Sequence, residues 1–205
     1  MKKRIILLFA LLTVVALLFA ACSNPSVNDF QKINDLLKVS YSKVTVVVNT
    51  KTDDFELNGN FTLTDNGNST IIDYKYDRIN SFEVGSDGNI ADADSEFIVT
   101  EEGTVEVRNG KIIDDGEIVD FPFDELNISG FSFKQAFFKN AKLNGAKLEA
   151  DVVNAQQFTG NAALNCKDMH VVVVRNTKAD TLTSIELTYT SENGAAVKIS
   201  YLFTK

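Results

Sequence analysis

His170 is the only histidine among 205 residues, and Cys22 and Cys166 are the only cysteines. That inventory limits the chemistry before any element is assigned. An imidazole-based zinc site usually takes at least two histidines, and a Ser-His-Asp set needs its histidine on an accessible loop. His170 instead sits inside the valine-rich run from Met169 to Arg175, which reads as a strand, so its expected role is structural. No GxSxG, P-loop, GxGxxG or CxxC spacing occurs. Cys166 has Lys167 as its one basic neighbour and reads as a small buried apolar residue rather than a reactive thiol.

Two acidic groups offer oxygen ligands. Asp87, Asp92, Asp94 and Glu96 form one, and Asp114, Asp115 and Glu117 the other. Calcium prefers clustered oxygens, but the spacing departs from the D-x-[DN]-x-[DN]-G loop, and solvated turns have the same composition. Paired carboxylates for glycoside hydrolysis lack the tryptophans that would hold a sugar ring, since Trp is absent. The expectation is a protein without enzymatic activity, metal or cofactor.

Cys22 is different because of what precedes it. Lys2, Lys3 and Arg4 form a basic head, Ile5 to Phe19 is apolar except for Thr13, and Ala20 and Ala21 lead into the cysteine. A secretory signal has this layout and is removed on export. A cysteine directly after the small pair resembles the bacterial lipoprotein signal, or lipobox, with Phe19 standing where Leu is commonest. That resemblance implies acylation of Cys22 and a mature chain that begins there. The expected divisions are a removed signal peptide at 1–21, an acylated cysteine with a short tether at 22–26, and one domain at 27–205. The alternative is a retained membrane helix. It is disfavoured because the apolar run is short and Ser23 to Ser26 supplies no basic stop-transfer flank.

Removing the three basic residues leaves 17 Lys+Arg against 28 Asp+Glu, a net charge near −11. Nucleic acid is excluded as a partner, because phosphate binding requires clustered Lys and Arg. The same charge argues that the bond to the membrane runs through acyl chains rather than a basic surface. With Cys22 acylated, no internal disulfide remains available.

Val27, Phe30, Ile33, Leu36 and Leu37 recur at spacings of three and four, which predicts a core-packing helix capped by Ser26 or Asn28. From Lys43 the period becomes two. Val44, Val46 and Val48 share a face, then Phe55, Leu57, Phe61 and Leu63 with Gly59 in register. Asp65-Asn66-Gly67-Asn68 predicts a hairpin, returning through Ile72, Tyr74 and Tyr76. Residues 85–95 read as a polar loop, 97–99 and 105–107 as two short strands, and Asn109-Gly110 as a turn into Ile112. Ser132 to Asn140 predicts a short helix with Phe133 and Phe137 on one face. Leu148, Ala150 and Val152 form a strand face. The chain closes on a hairpin with Ile185, Leu187 and Tyr189 before its turn, and Val197, Ile199, Tyr201 and Phe203 after it. No linker divides the chain. The expected fold is mainly β (α+β): a single curved antiparallel sheet or half-barrel, with the N-terminal helix and one or two short helices on its concave face.

The segments VNDFQKINDLL, FELNGNFTLTDNGNSTIIDYKY, GFSFKQAFFKN and SIELTYTSENGAAVKISYLF, in this order behind a lipobox, resemble the LolA/LolB/LppX-like superfamily of lipoprotein and lipid carriers. The resemblance implies an open half-barrel wrapped around helices, with an apolar concavity for acyl chains or amphiphiles. On the residues alone, the strands hold more apolar surface than one short helix covers, so the face is either completed by further helices or left as a cavity. The candidate lining is Phe30, Phe55, Leu57, Phe61, Leu63, Tyr74, Tyr76, Phe133, Phe137, Leu187, Tyr189, Ile199 and Tyr201. The expected function is a surface lipoprotein on the extracytoplasmic face of the cell membrane that binds a hydrophobic or amphiphilic ligand. The competing expectation is a structural lipoprotein with a filled core, which presents its acidic loops 85–95 and 114–120 to an envelope protein.

Overall fold

The computed structural model describes residues 23–52, 55–80, 83–84, 90–91, 97–109, 111–119 and 128–205. The expected signal segment at 1–21 and Cys22, most of the loop 85–95, and Phe121 to Leu126 lie outside them. Helix α1 spans Val27–Leu37 and begins at Ser26, which forms a capping box with Asp29. Strands β1 (Lys43–Lys51), β2 (Phe55–Asp65) and β3 (Thr70–Asn80) form a meander. A two-residue ribbon, β4 (Glu83–Val84) with β5 (Ile90–Ala91), interrupts it before β6 (Phe97–Arg108), β7 (Lys111–Asp114) and β8 (Glu117–Ile118). After 128, two 3₁₀ turns precede β9 (Phe138–Asn144) and β10 (Lys147–Val152). Helix α2 (Ala155–Thr159) then leads to β11 (Cys166–Asn176), β12 (Thr181–Ser191) and β13 (Ala196–Thr204).

Eleven of these strands make one open antiparallel sheet in the order β8-β7-β6-β3-β2-β1-β13-β12-β11-β10-β9. Period-two alternation dictates the register. Val46 stands between Phe61 and Tyr201, and Val48 between Gly59 and Ile199, so the predicted faces combine into one continuous inner face. The outer face is wet, with Thr104 bonded to Asp73, Thr100 to Asp77, and Lys198 paired with Glu186. At Asp65 to Ser69 the predicted hairpin forms around Gly67, whose φ of 78° suits glycine.

Three expectations are corrected. The segments 97–99 and 105–107 belong to one twelve-residue strand, β6, because pairing along the whole of β3 carries the intervening polar residues Thr100 to Thr104. The predicted helix over 132–140 is absent. Only Gln135–Phe137 forms a 3₁₀ turn, and Phe138 onward joins β9, whose ladder with β10 competes successfully with local helix propensity. Val27 is 64% exposed, so the buried stripe of α1 is Phe30, Ile33 and Leu36.

Both helices lie over the β9–β13 half. Phe30, Phe131, Phe133, Phe138, Phe158 and Tyr201 interlock there, with ring centroids 5.1–5.6 Å apart. Stacked and edge-to-face pairs alternate, the arrangement the ring quadrupole favours. The segment that carries Phe133 is held by one side chain. The Asn34 amide donates from Nδ2 to the Phe133 carbonyl, and its Oδ1 accepts from the Phe133 N–H, both at 2.7 Å. Tyr41 makes a second tie, donating to the Leu36 carbonyl and accepting from the Leu182 N–H.

Candidate functional site

The inner face has two unlike halves. Under the helices, Phe30, Phe133, Leu187, Ile199 and Tyr201 are each 2% exposed or less. Side chains sealed this completely leave almost no surface to a void beneath the helices, so this half is packed as a core, with Phe30 also reaching the wall of a cleft at its rim. Tyr189 lies at its rim and Phe137 is half-buried beside Lys134, whose Nζ is 5.5 Å from the ring centre.

The β2–β3–β6 half is built on rings and glycines. The Phe61 ring lies over Gly59, so close that a Cβ at 59 would come within 2.5 Å of it. Tyr74 lies over Gly103 in the same way, its hydroxyl 2.7 Å from where a Cβ would stand. Glycine at these positions lets each ring lie along the sheet. Tyr74 and Tyr76 stack at 6.1 Å, and the Tyr76 hydroxyl donates to the Glu101 carboxylate. Burial, reinforced by that bond, pushes the Tyr76 phenol up to about 12. Phe61, Ile72, Tyr76 and Val105 are buried, while Phe55, Leu57, Leu63 and Tyr74 keep part of their surface. Among the described residues, no helix makes more than isolated contacts with β2, β3 or β6.

Open clefts lie around the rim. One of about 610 Å³ is bordered by Thr50, Glu56, Asp168, Thr188, Tyr189 and Lys198. Another of about 580 Å³ runs beside Pro25, Phe30, Phe138 and Lys142, and a third of about 610 Å³ beside Leu164, Tyr189 and Asn193. Of the thirteen candidate lining residues, only Phe30 and Tyr189 border them.

His170 is on the outer face, where its Nδ1 lies 2.9 Å from Asp151. Hydrogen bonds from Asn140 first, and from His170, hold the Asp151 carboxyl below its ordinary range. Glu149 and Lys139 lie close enough to interact electrostatically with His170 and Asp151 respectively. Cys166 is half-buried against the core, and burial raises its thiol. Among the described residues no group of His, Cys, Asp or Glu has metal-site geometry, and no helix is long and apolar enough to cross a membrane. The acidic group Asp87 to Glu96 lies outside them.

Sequence reasoning missed Phe131, Phe138 and Phe158 as members of the aromatic centre, and Asn34 as the side chain that ties the Phe133 segment to α1. Phe158 stands alone in a polar stretch, and its one signal is the Asn154 cap four residues earlier.

No family model matches the chain, and no curated protein matches it. Among solved structures, an inactive mutant of the CurJ dehydratase in complex with a compound is 6% identical. The alignment covers 84% of this chain and 77% of that one at a TM-score of 0.20. The N-terminal dehydratase from the difficidin assembly line is 8% identical over 86% and 81%, at a TM-score of 0.16. Similarity at that level carries no argument about the fold or the activity of this chain.

Proposed function

We propose that this chain is a non-enzymatic envelope lipoprotein, tethered through Cys22 to the extracytoplasmic side of the cell membrane, that takes up a hydrophobic or amphiphilic molecule on its sheet. The observation that carries the reading is the division of the inner face. One half is sealed by α1, α2 and six aromatic rings, while on the β2–β3–β6 half Phe55, Leu57, Leu63 and Tyr74 stay partly exposed beside the buried Phe61, Ile72, Tyr76 and Val105, and among the described residues no helix makes more than isolated contacts with these strands. A guest therefore lies along Leu57, Leu63 and Tyr74, not beneath α1. Ser23, next to the cysteine that the lipobox resemblance marks for acylation, is already paired to Leu143 of β9. That leaves little slack between membrane and sheet.

Native mass spectrometry and thermal unfolding of the purified chain, with and without fatty acids and phospholipids, test the binding. A ligand at about a hundred times its Kd stabilises by about 2.7 kcal/mol, which is roughly 5–11 °C for a domain of this size. Absence of a copurifying ligand together with an unchanged Tm overturns it. The filled half favours a second reading, a scaffold lipoprotein that binds an envelope protein through the acidic turn after β7. Charge reversal at Asp114, Asp115 and Glu117 then abolishes crosslinking to that partner while leaving Tm unchanged, and crosslinking that persists refutes it.

A further inference from the structure

The inner face of the β2–β3–β6 half holds charge as well as apolar surface. Its register is unbroken, so alternation assigns each residue to a face. Among the inward positions of β1, β2, β3 and β6, the charged residues are Asp65, Arg78 and Glu101. Asp65 is engaged in the hairpin, where it accepts from the Gly67 N–H. Arg78 stands between the half-buried Leu57 of β2 and Val99 of β6, beside the buried Tyr76 on its own strand. Glu101 stands opposite Tyr76 and accepts from its hydroxyl. Lys75, Asp77 and Glu102 alternate onto the outer face, where Lys75 pairs with Glu102 and Asp77 accepts from Thr100. Asp114 and Glu117, exposed at the far edge, are level with Val105, roughly 20 Å along β6 from Val99.

Arg78 is half-buried, and among the described residues no hydrogen bond or ion pair engages its guanidinium. A group with five N–H donors drawn partly out of water calls for an acceptor. Glu101 is its diagonal neighbour across the ladder, a spacing that long side chains can bridge, yet the two form no ion pair. The carboxylate meets the Tyr76 hydroxyl instead. We infer that the molecule taken up on this half is a zwitterionic amphiphile, with its phosphate on Arg78, its ammonium on Glu101 and its acyl chain laid past Tyr74 toward Leu63. The inference rests on the proposed uptake of a hydrophobic or amphiphilic molecule by this half of the sheet.

Each part of such a molecule meets its complement. The planar guanidinium fork matches phosphate oxygens. A carboxylate has acceptor sites beyond the one Tyr76 occupies, and these suit an ammonium. A fatty acid satisfies Arg78 alone and sets its own charge against Glu101, while an uncharged guest covers the guanidinium without pairing it. Length also fits. From Arg78 to Ile72, which is level with Leu63, β3 runs roughly 20 Å. One leaflet of a bilayer, half of its hydrocarbon core, is about 15 Å deep. An extended acyl chain that starts beside Tyr76 therefore ends on the sheet, with Leu57, Tyr74 and Leu63 along its course.

The test offers the purified full chain, in a non-ionic detergent, an equimolar mixture of palmitoyl amphiphiles that differ only in headgroup. They are lysophosphatidylethanolamine, lysophosphatidylglycerol, palmitate and monopalmitoylglycerol, and native mass spectrometry reads which is retained. Lysophosphatidylethanolamine is expected to exceed each of the others roughly tenfold. Arg78→Gln should lower its retention roughly tenfold, and Glu101→Gln should move the preference to lysophosphatidylglycerol. Equal retention of all, or a preference of the parent chain for palmitate or lysophosphatidylglycerol, overturns the headgroup assignment and leaves amphiphile binding standing. So does parent selectivity in a variant that melts at the parent Tm. Retention of none overturns both. The parent chain alone decides these outcomes if a variant fails to fold.

Discussion

Replacing Asn34 by Asp changes one atom type at the joint between α1 and the aromatic segment. The parent amide donates to the Phe133 carbonyl and accepts from the Phe133 N–H, both at 2.7 Å. In Asn34→Asp the acceptor survives, but the donor becomes a second oxygen aimed at a carbonyl. One hydrogen bond of about 1 kcal/mol is lost and a part-buried carbonyl is orphaned, so the expected deficit at neutral pH is about 2–3 kcal/mol. In a domain of this size that is roughly 4–12 °C in Tm. Protonation changes the outcome, because a carboxylic acid carries an O–H that can donate to the Phe133 carbonyl and restore the pair. The introduced group therefore binds its proton more tightly in the folded state than in the unfolded chain. Its folded pKa is raised, the deficit is smallest below the unfolded value of about 3.9, and it grows as pH rises through the folded value. Parent and variant are to be melted side by side at about pH 3.5 and about pH 7, so that the shared response of the other carboxylates cancels in the difference. A deficit equal at both pH values, or larger in acid, refutes the reasoning that Asn34 acts as a paired amide.

Phe158 is fully buried and touches three rings, so Phe158→Ala is expected to remove about 3–5 kcal/mol. Phe158→Leu should remove less than half of that, and equal losses in chemical denaturation would contradict the packing account. At Gly130 a Cβ would stand 2.4 Å from the Thr159 carbonyl oxygen, a backbone atom that cannot swing aside. Gly130→Ala should therefore lower stability by about 1–3 kcal/mol, and an unchanged Tm would show that the contact relaxes freely. The Tyr76 phenol, pushed up to about 12, contributes stability that is intact below about pH 10 and lost as pH rises through the folded value. A rapid-mixing ultraviolet titration of the parent minus Tyr76→Phe should give a midpoint near 12, and a midpoint near 10 would refute burial as the cause.

The alternating segments were readable wherever a strand buries one face and wets the other. Val44 to Val48, Phe55 to Leu63 and the closing hairpin follow that rule, and so does the stripe of α1 through Phe30, Ile33 and Leu36. The reading failed where partners distant in sequence decide. Phe133 and Phe137 keep a helical spacing, yet β10 claims Phe138 to Asn144 for the sheet. Thr100 to Thr104 looks like a loop until β3 pairs with all of it. The candidate lining was legible as a face but not as two halves, because which strands α1 covers depends on the joining of β1 to β13. Asn34 gave no local sign, since its partner lies 99 residues away.

The pairing of β1 with β13 has a consequence for biogenesis. β1 and β2 are neighbours in the chain and can zip together as soon as both are made, but the other flank of β1 is filled only by Ala196–Thr204. Until that last ribbon arrives, the Val44–Val48 strand has a bare margin, open to the wrong partner for as long as synthesis takes. A truncated or stalled product would thus expose a sticky valine edge in the middle of the fold rather than lose a dispensable tail.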